Sequence, residues 1–111
     1  MVEKRIKNIN ILLQKYIHEL EKHVRVERVI LFGSYSRGEP RDYSDIDVAI
    51  FSPDFKGGTE EDYLLLDRIA RRINSFIEAI PYRSQDLKDF EPGDFLDEIL
   101  KTGRVIYKKA A

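Results

Sequence analysis

Residues 31–51 read LFGSYSRGEPRDYSDIDVAIF, and this stretch decides the fold. An apolar run stops at Gly33-Ser34, a polar stretch follows, and a second apolar run opens on Asp45 and Asp47. Residues 25–32 (RVERVILF) are rich in β-branched and aromatic side chains and predict a strand that ends at Gly33. Residues 45–51 (DIDVAIF) predict a second strand, whose later half is apolar on both faces as a buried strand requires. Residues 33–44, with two glycines and a proline, read as a loop with room for one helical turn after Ser34.

Residues two apart on a strand share a face, so Asp45 and Asp47 project together while Ile46 points the other way. Two carboxylates on one face of a buried strand repel each other and are costly without a partner. A hard cation supplies that partner, and few oxygen ligands completed by water and substrate oxygens suit Mg²⁺. Gly33 permits close backbone approach to a ligand, and Ser34 adds a hydroxyl donor to a turn whose amides can cradle an anion. The ten residues between Ser34 and Asp45 must bring these two features together. Antiparallel neighbouring strands do so most simply, which predicts a mixed sheet rather than a doubly wound parallel one.

Outward from this centre, Ile6, Ile9, Leu13, Tyr16 and Leu20 recur at helical steps and predict an amphipathic helix over 3–23. Thr59 reads as the N-cap of a helix over 60–76, with Glu60, Glu61 and Asp62 in its first turn and Leu66, Ile69, Ile73 and Phe76 on one stripe. Residues 77–83 predict a third strand whose Pro81 marks an end or an edge. A last short helix over 94–102 is closed by Gly103, and 104–107 predicts an edge strand. The order α, β, loop, β, α, β, α, β predicts an α/β (α+β) fold, a small mixed sheet flanked by helices, in a single domain spanning 1–111.

The bulk composition excludes more than it selects. Nineteen basic residues against twenty acidic ones leave a net charge of −1, so no global field draws the chain to nucleic acid or anionic membrane. The absence of cysteine removes disulfides, thiol nucleophiles and zinc–thiolate sites. No apolar run reaches membrane-spanning length and no basic-then-apolar leader opens the chain, so a cytoplasmic domain is expected.

The GS, ten residues, DxD pattern between apolar strands resembles the DNA polymerase β-like nucleotidyltransferase superfamily. Its GSxxRG and SDIDVAI forms are similar to minimal nucleotidyltransferases, single palm domains often paired with a HEPN-domain toxin. The resemblance implies a two-metal Mg²⁺ site and transfer of a nucleoside monophosphate from a triphosphate such as ATP. It implies Asp45 and Asp47 as catalytic metal ligands, with Glu78 in FIEAIPY as the third carboxylate and Asp86 as the weaker candidate. Gly33, Ser34 and the neighbouring amides would bind the nucleotide's phosphates. Arg37 is either a further phosphate contact or an ion-pair partner of Glu39 or Asp42.

Three functions are compatible with this pattern. The first is an antitoxin that transfers AMP to a hydroxyl, plausibly a tyrosine, of a helical HEPN-type partner. The second is a non-catalytic module that neutralises its partner by contact. The third is an antibiotic-type small-molecule nucleotidyltransferase, its site completed by a homo-oligomer. A palm of 111 residues leaves no room for an acceptor-binding domain, which favours a partner chain. Phe90, Phe95, Leu96 and Ile99 are the candidates for apolar surface facing it. Arg68, Arg71 and Arg72 lack interleaved aromatics and read as a solvated face, which argues against direct nucleic-acid binding. Tyr35, Tyr43, His18 and His23 read as ordinary surface residues.

Overall fold

A computed structural model describes residues 2–35 and 45–109, with side chains from residue 8 onward. Helix α1 (Val2–Leu20) leads to strand β1 (Arg28–Phe32), which runs into a single 3₁₀ turn at Gly33–Tyr35. Strand β2 (Ile46–Ser52), helix α2 (Glu60–Ile73) and strand β3 (Ile77–Arg83) form a right-sized parallel crossover unit. A 3₁₀ turn (Ser84–Leu87), helix α3 (Phe95–Thr102) and strand β4 (Arg104–Lys108) follow. The sheet order is β3-β2-β1-β4, with β1 antiparallel to both β2 and β4 and β2 parallel to β3. The expected mixed sheet and the antiparallel pairing of the two motif-bearing strands are both present.

Strand alternation sorts the core into two layers. Val29, Leu31, Ile46, Val48 and Ile50 face α1 and α2, where they meet Leu13, Tyr16, Leu66 and Ile69. Ile30, Ala49 and Phe51 face the other way and are covered by Leu96 and Ile99 of α3. The buried Tyr16 hydroxyl donates to the Leu66 carbonyl oxygen at 2.8 Å, tying α1 to α2 across the first layer. Phe51 stacks on Tyr82 in the second layer, ring centroids 5.2 Å apart. Phe95, at the start of α3, packs against Phe32, and beside it Asp47 and Glu78 border an open cavity. That opening positions the site.

Several boundaries differ from the sequence reading, each for a local reason. Strand β1 begins at Arg28 rather than 25, because the Arg25 backbone N–H donates to the Asp54 carboxylate at 2.8 Å instead of joining the ladder. The Arg25 guanidinium also grips Asp54 and holds its carboxyl down at about 2. Helix α2 stops at Ile73, where Asn74 is extended and its side chain accepts from the Phe76 N–H at 2.8 Å. Phe76 therefore leaves the predicted helical stripe and is exposed. Thr59 caps α2 as expected, in a reciprocal capping box with Asp62. Asp62 is buried and also accepts from the Lys56 and Gly58 amides, so its role is to shape the helix entry.

Pro81 lies on β3, an outer strand, where its missing N–H removes no ladder bond from a second neighbour. Gly103 closes α3 with φ −79°, so left-handed backbone is not its reason. A Cβ there would fall 2.5 Å from both Ile30 Cγ2 and the Ile99 carbonyl oxygen, so close packing requires the glycine. The predicted apolar surface on α3 divides: Leu96 and Ile99 are core, Phe90 is half-buried and Phe95 is exposed.

Candidate active site

The site grows out of three adjacent strand positions. In the antiparallel pair, Phe32 lies opposite Asp47, so the chain turns at Gly33 directly beside that carboxylate. In the parallel pair, Asp47 lies opposite Glu78. Asp47 shares its face with Ala49 and Phe51, and Glu78 shares its face with Ile80 and Tyr82, so both lie on the α3 side of the sheet. Asp45, one residue before β2, is exposed at the same edge. Together they line a cavity of about 770 Å³.

Gly33 is required twice over. Its φ of +75° is the left-handed conformation that glycine adopts without penalty. A Cβ at this position would fall 2.4 Å from Asp47 Oδ2, so any side chain would collide with the carboxylate. The close backbone approach expected at Gly33 is thus to the acid of the neighbouring strand. Ser34 follows in the same turn, half-buried, and Tyr35 is fully in the core rather than at the surface.

The electrostatics single out Asp47. Burial first, and then the charges of Asp45 and Glu78, push its carboxyl up from 3.8 to about 6. Such a shift belongs to a carboxylate held partly out of water beside two like charges. Among the described residues, no three Asp, Glu or His side chains close around one point as a finished metal cage. The arrangement is instead an open row of acids along a strand edge, able to take cations together with a ligand that supplies further oxygens.

Asp86, the other candidate for a third acid, lies elsewhere. It sits in the turn after the far end of β3, where it accepts from the Arg83 backbone N–H and guanidinium at 2.9 Å each. It holds that turn together and has no place in the acidic cavity. Arg37 and Tyr43 fall outside the described residues. His18 and His23 are exposed, as are Arg68, Arg71 and Arg72, with Arg71 paired to Asp67 at 3.1 Å.

The cavity also contains Phe32, Glu60, Tyr63, Leu64, Asp67 and Phe95, of which the sequence reading gave only Phe95 a partner-facing role and Glu60 only a place in the first turn of its helix. The signal for four of them was present, since 60, 63, 64 and 67 share one face of α2, distinct from its core stripe. A second cavity of about 950 Å³ lies at the opposite end of the sheet, with Arg28, Arg83, Lys88, Lys108 and Lys109 in its lining. Net charge gave no sign of this contrast between a first cavity lined by five acids and a second that holds these bases beside Glu27.

A mixed β-sheet that sets a glycine-serine turn against a strand-borne acid pair defines a nucleotidyltransferase palm. The family described as Polymerase beta, Nucleotidyltransferase matches residues 14–111, and the chain belongs to it. A relative in Methanocaldococcus jannaschii, provisionally named a protein adenylyltransferase, is 32% identical over 108 residues, covering 95% of this chain and 97% of its own length. A second one from that organism, named likewise, is 38% identical over 65 residues, covering 55% of this chain and 76% of the relative. Among solved structures, a nucleotidyltransferase from Sulfolobus solfataricus superposes with a TM-score of 0.69 at 19% identity, over 97% of this chain and 87% of the other. A toxin–antitoxin structure with AMP-PNP gives 0.64 at 20% identity, over 90% of this chain and 73% of the other. At these identities the structural matches speak for the fold.

Proposed function

We propose that this chain is a Mg²⁺-dependent adenylyltransferase that moves AMP from ATP onto a hydroxyl of a partner protein. In this reading the partner is a HEPN-type toxin, the acceptor a tyrosine, and this chain the cytoplasmic antitoxin. The observation that carries the chemistry is the meeting of the Gly33–Ser34 turn with Asp47 and Glu78 on adjacent strands. The partner class is supported by the protein adenylyltransferase name of a relative that spans nearly the whole chain. It is supported further by the palm fold shared with toxin–antitoxin assemblies.

The residues present fit a divalent cation. Asp47 is raised to about 6 by burial and two like charges, a cost that a bound cation would offset. The missing Cβ of Gly33 keeps a side chain from colliding with Asp47 Oδ2. Asp45, Asp47 and Glu78 would hold Mg²⁺ through hard oxygen donors. When bound, it would neutralise charge on the triphosphate and acidify the acceptor hydroxyl. The chain's own part is positioning: Ser34 and the turn amides orient the triphosphate, and the strand edge holds the three acids in fixed register. In the transfer, the acceptor oxygen bonds to the α-phosphorus as the bond to the bridging oxygen breaks. Pyrophosphate leaves with that electron pair, and the hydroxyl proton passes to solvent.

The test is co-expression with the protein encoded beside this chain's gene, followed by intact mass measurement of both. An AMP adduct on the partner is expected, and it should vanish with Ser34→Ala plus Asp47→Asn. A stable complex that carries no adduct, with the partner still fully neutralised by the same double variant, would make this chain a contact-only binding module instead.

A further inference from the structure

The cavity beside the three carboxylates has a second surface that phosphate and metal chemistry leaves unused. Glu60, Tyr63, Leu64 and Asp67 lie on one face of α2, and all four are exposed to the cavity. This is not the face that seats α2 on the sheet, which is built from Leu66, Ile69 and Ala70. Tyr63 is 45% exposed and Leu64 is 52% exposed. Phe95, at the start of α3, lines the same cavity at 55% exposure and packs edge-on against Phe32, with ring centroids 5.7 Å apart. Isolated exposed apolar residues need no explanation, but several converging on one cavity with acids on their flanks do.

We infer that the wall formed by Tyr63, Leu64 and Phe95, flanked by Glu60 and Asp67, is the acceptor subsite. The acceptor it fits is a protein segment that carries its hydroxyl among apolar side chains and has basic residues beside them. This inference rests on the nucleotidyl-transfer reading above and adds the chemistry of the acceptor to it.

Charge selects the sign. The cavity is lined by the carboxylates of Asp45, Asp47, Glu60, Asp67 and Glu78 and, among the described residues, by no lysine or arginine. Arg71 offsets Asp67 alone. A triphosphate with two divalent cations is close to neutral, so its arrival leaves most of this negative charge in place. An acidic acceptor is repelled and a basic one is drawn in. Charge by itself would also suit a small polyhydroxylated amine, but such a molecule has no apolar surface to bury on Tyr63, Leu64 and Phe95. A peptide has both, and large aromatic and aliphatic anchors carry much of the energy at protein contacts. A nucleobase could stack on the same wall, yet it brings no cation for Glu60 and Asp67.

The experiment uses the full chain and three probes. They are a labelled peptide with tyrosine between leucines and lysine-arginine flanks, the same peptide with glutamate flanks, and an aminoglycoside. Binding is read by fluorescence anisotropy and calorimetry, with EDTA alone and then with Mg²⁺ and a non-hydrolysable ATP analogue. The basic peptide should bind at least about tenfold more tightly than its acidic counterpart. Tyr63→Ser with Leu64→Ser should weaken the basic peptide by about tenfold or more while the analogue's affinity holds. Glu60→Lys, an exposed change that spares the fold, should weaken the basic peptide and strengthen the acidic one.

Equal binding of both peptides, or indifference to all three substitutions, overturns the inference. So does loss of analogue affinity in the Tyr63/Leu64 variant with peptide binding intact, which would make the wall a nucleobase site. Aminoglycoside binding that outcompetes the basic peptide also overturns it. Absence of analogue binding to the wild type would sink the nucleotidyl-transfer reading itself, and the EDTA arm reads the peptide surface separately from that outcome.

Discussion

Replacing Asp47 with asparagine should make the ligand-free protein more stable, which is the reverse of the usual result of mutating a half-buried polar residue. The Asp47 carboxyl rises from 3.8 to about 6 because burial and the charges of Asp45 and Glu78 disfavour its ionised form. Two pKa units at 1.36 kcal/mol each set an upper bound of about 3 kcal/mol, and solvent at this open edge reduces it to about 1–2 kcal/mol. For a chain of this size that corresponds to a rise in Tm of roughly 5–10 °C. The sign follows from linkage. A carboxyl whose folded pKa exceeds its unfolded value contributes stability below the unfolded pKa, and this is lost as pH rises through the folded one. The wild type and Asp47→Asn should therefore melt together near pH 3.5, diverge between about pH 4 and 6, and stay apart at a constant interval above that. Scanning calorimetry in EDTA at low salt across this range provides the measurement. Mg²⁺ with ATP should then raise the melting temperature of the wild type, by about 2.7 kcal/mol of stabilisation at a hundredfold excess over Kd, and leave Asp45→Asn/Asp47→Asn unmoved. A variant that melts at or below the wild type at pH 7.5, or a gap that ignores pH, would refute the electrostatic account of the site.

Three further substitutions probe separate parts of the structure. Glu78→Gln should abolish transfer while a fluorescent ATP analogue still binds, whereas Asp86→Asn, in the Arg83 turn, should leave turnover near wild type; the opposite pattern in a turnover assay would displace the third acid from β3. Gly33→Ala must place a Cβ 2.4 Å from Asp47 Oδ2 at φ +75°, so unfolding by denaturant should show a loss of at least about 1–2 kcal/mol, with transfer impaired beyond that loss. Tyr16→Phe removes a buried donor to the Leu66 carbonyl and should cost about 1–2 kcal/mol in the same assay, with nucleotide binding unchanged because α1 lies on the other face of the sheet.

Much of this arrangement was legible in the residues, and what was not has physical reasons. Strand parity alone put Asp45 and Asp47 on one face, and the short span from Ser34 to Asp45 implied the antiparallel pairing. Glu78 was a different matter. Its place opposite Asp47 depends on the register of a parallel pair joined through a whole helix, which no local pattern encodes. The family resemblance called for a third acid, and Asp86 ranked below Glu78 because it lies beyond Pro81, outside the strand; the register sets Glu78 opposite Asp47. Helix and strand ends moved where side chains captured backbone amides, as Asp54 does at Arg25 and Asn74 does at Phe76. The second face of α2 went unread because one apolar stripe already accounted for the helix. Only the fold shows that Tyr63 and Leu64 border the same cavity as Phe95, more than thirty residues away in the sequence.

The central claim is that this chain transfers a nucleotidyl group, not a phosphoryl group, to a protein. The most direct measurement incubates the purified chain and its partner with Mg²⁺ and ATP labelled at either the α- or the γ-phosphate, then follows label into each protein. Label from the α-position should appear on the partner, with pyrophosphate released in equal amount, and should disappear with Asp47→Asn; label from the γ-position should remain in solution. Label transferred from the γ-position, or no label on the partner from either position while the two proteins form a stable complex, would contradict the account.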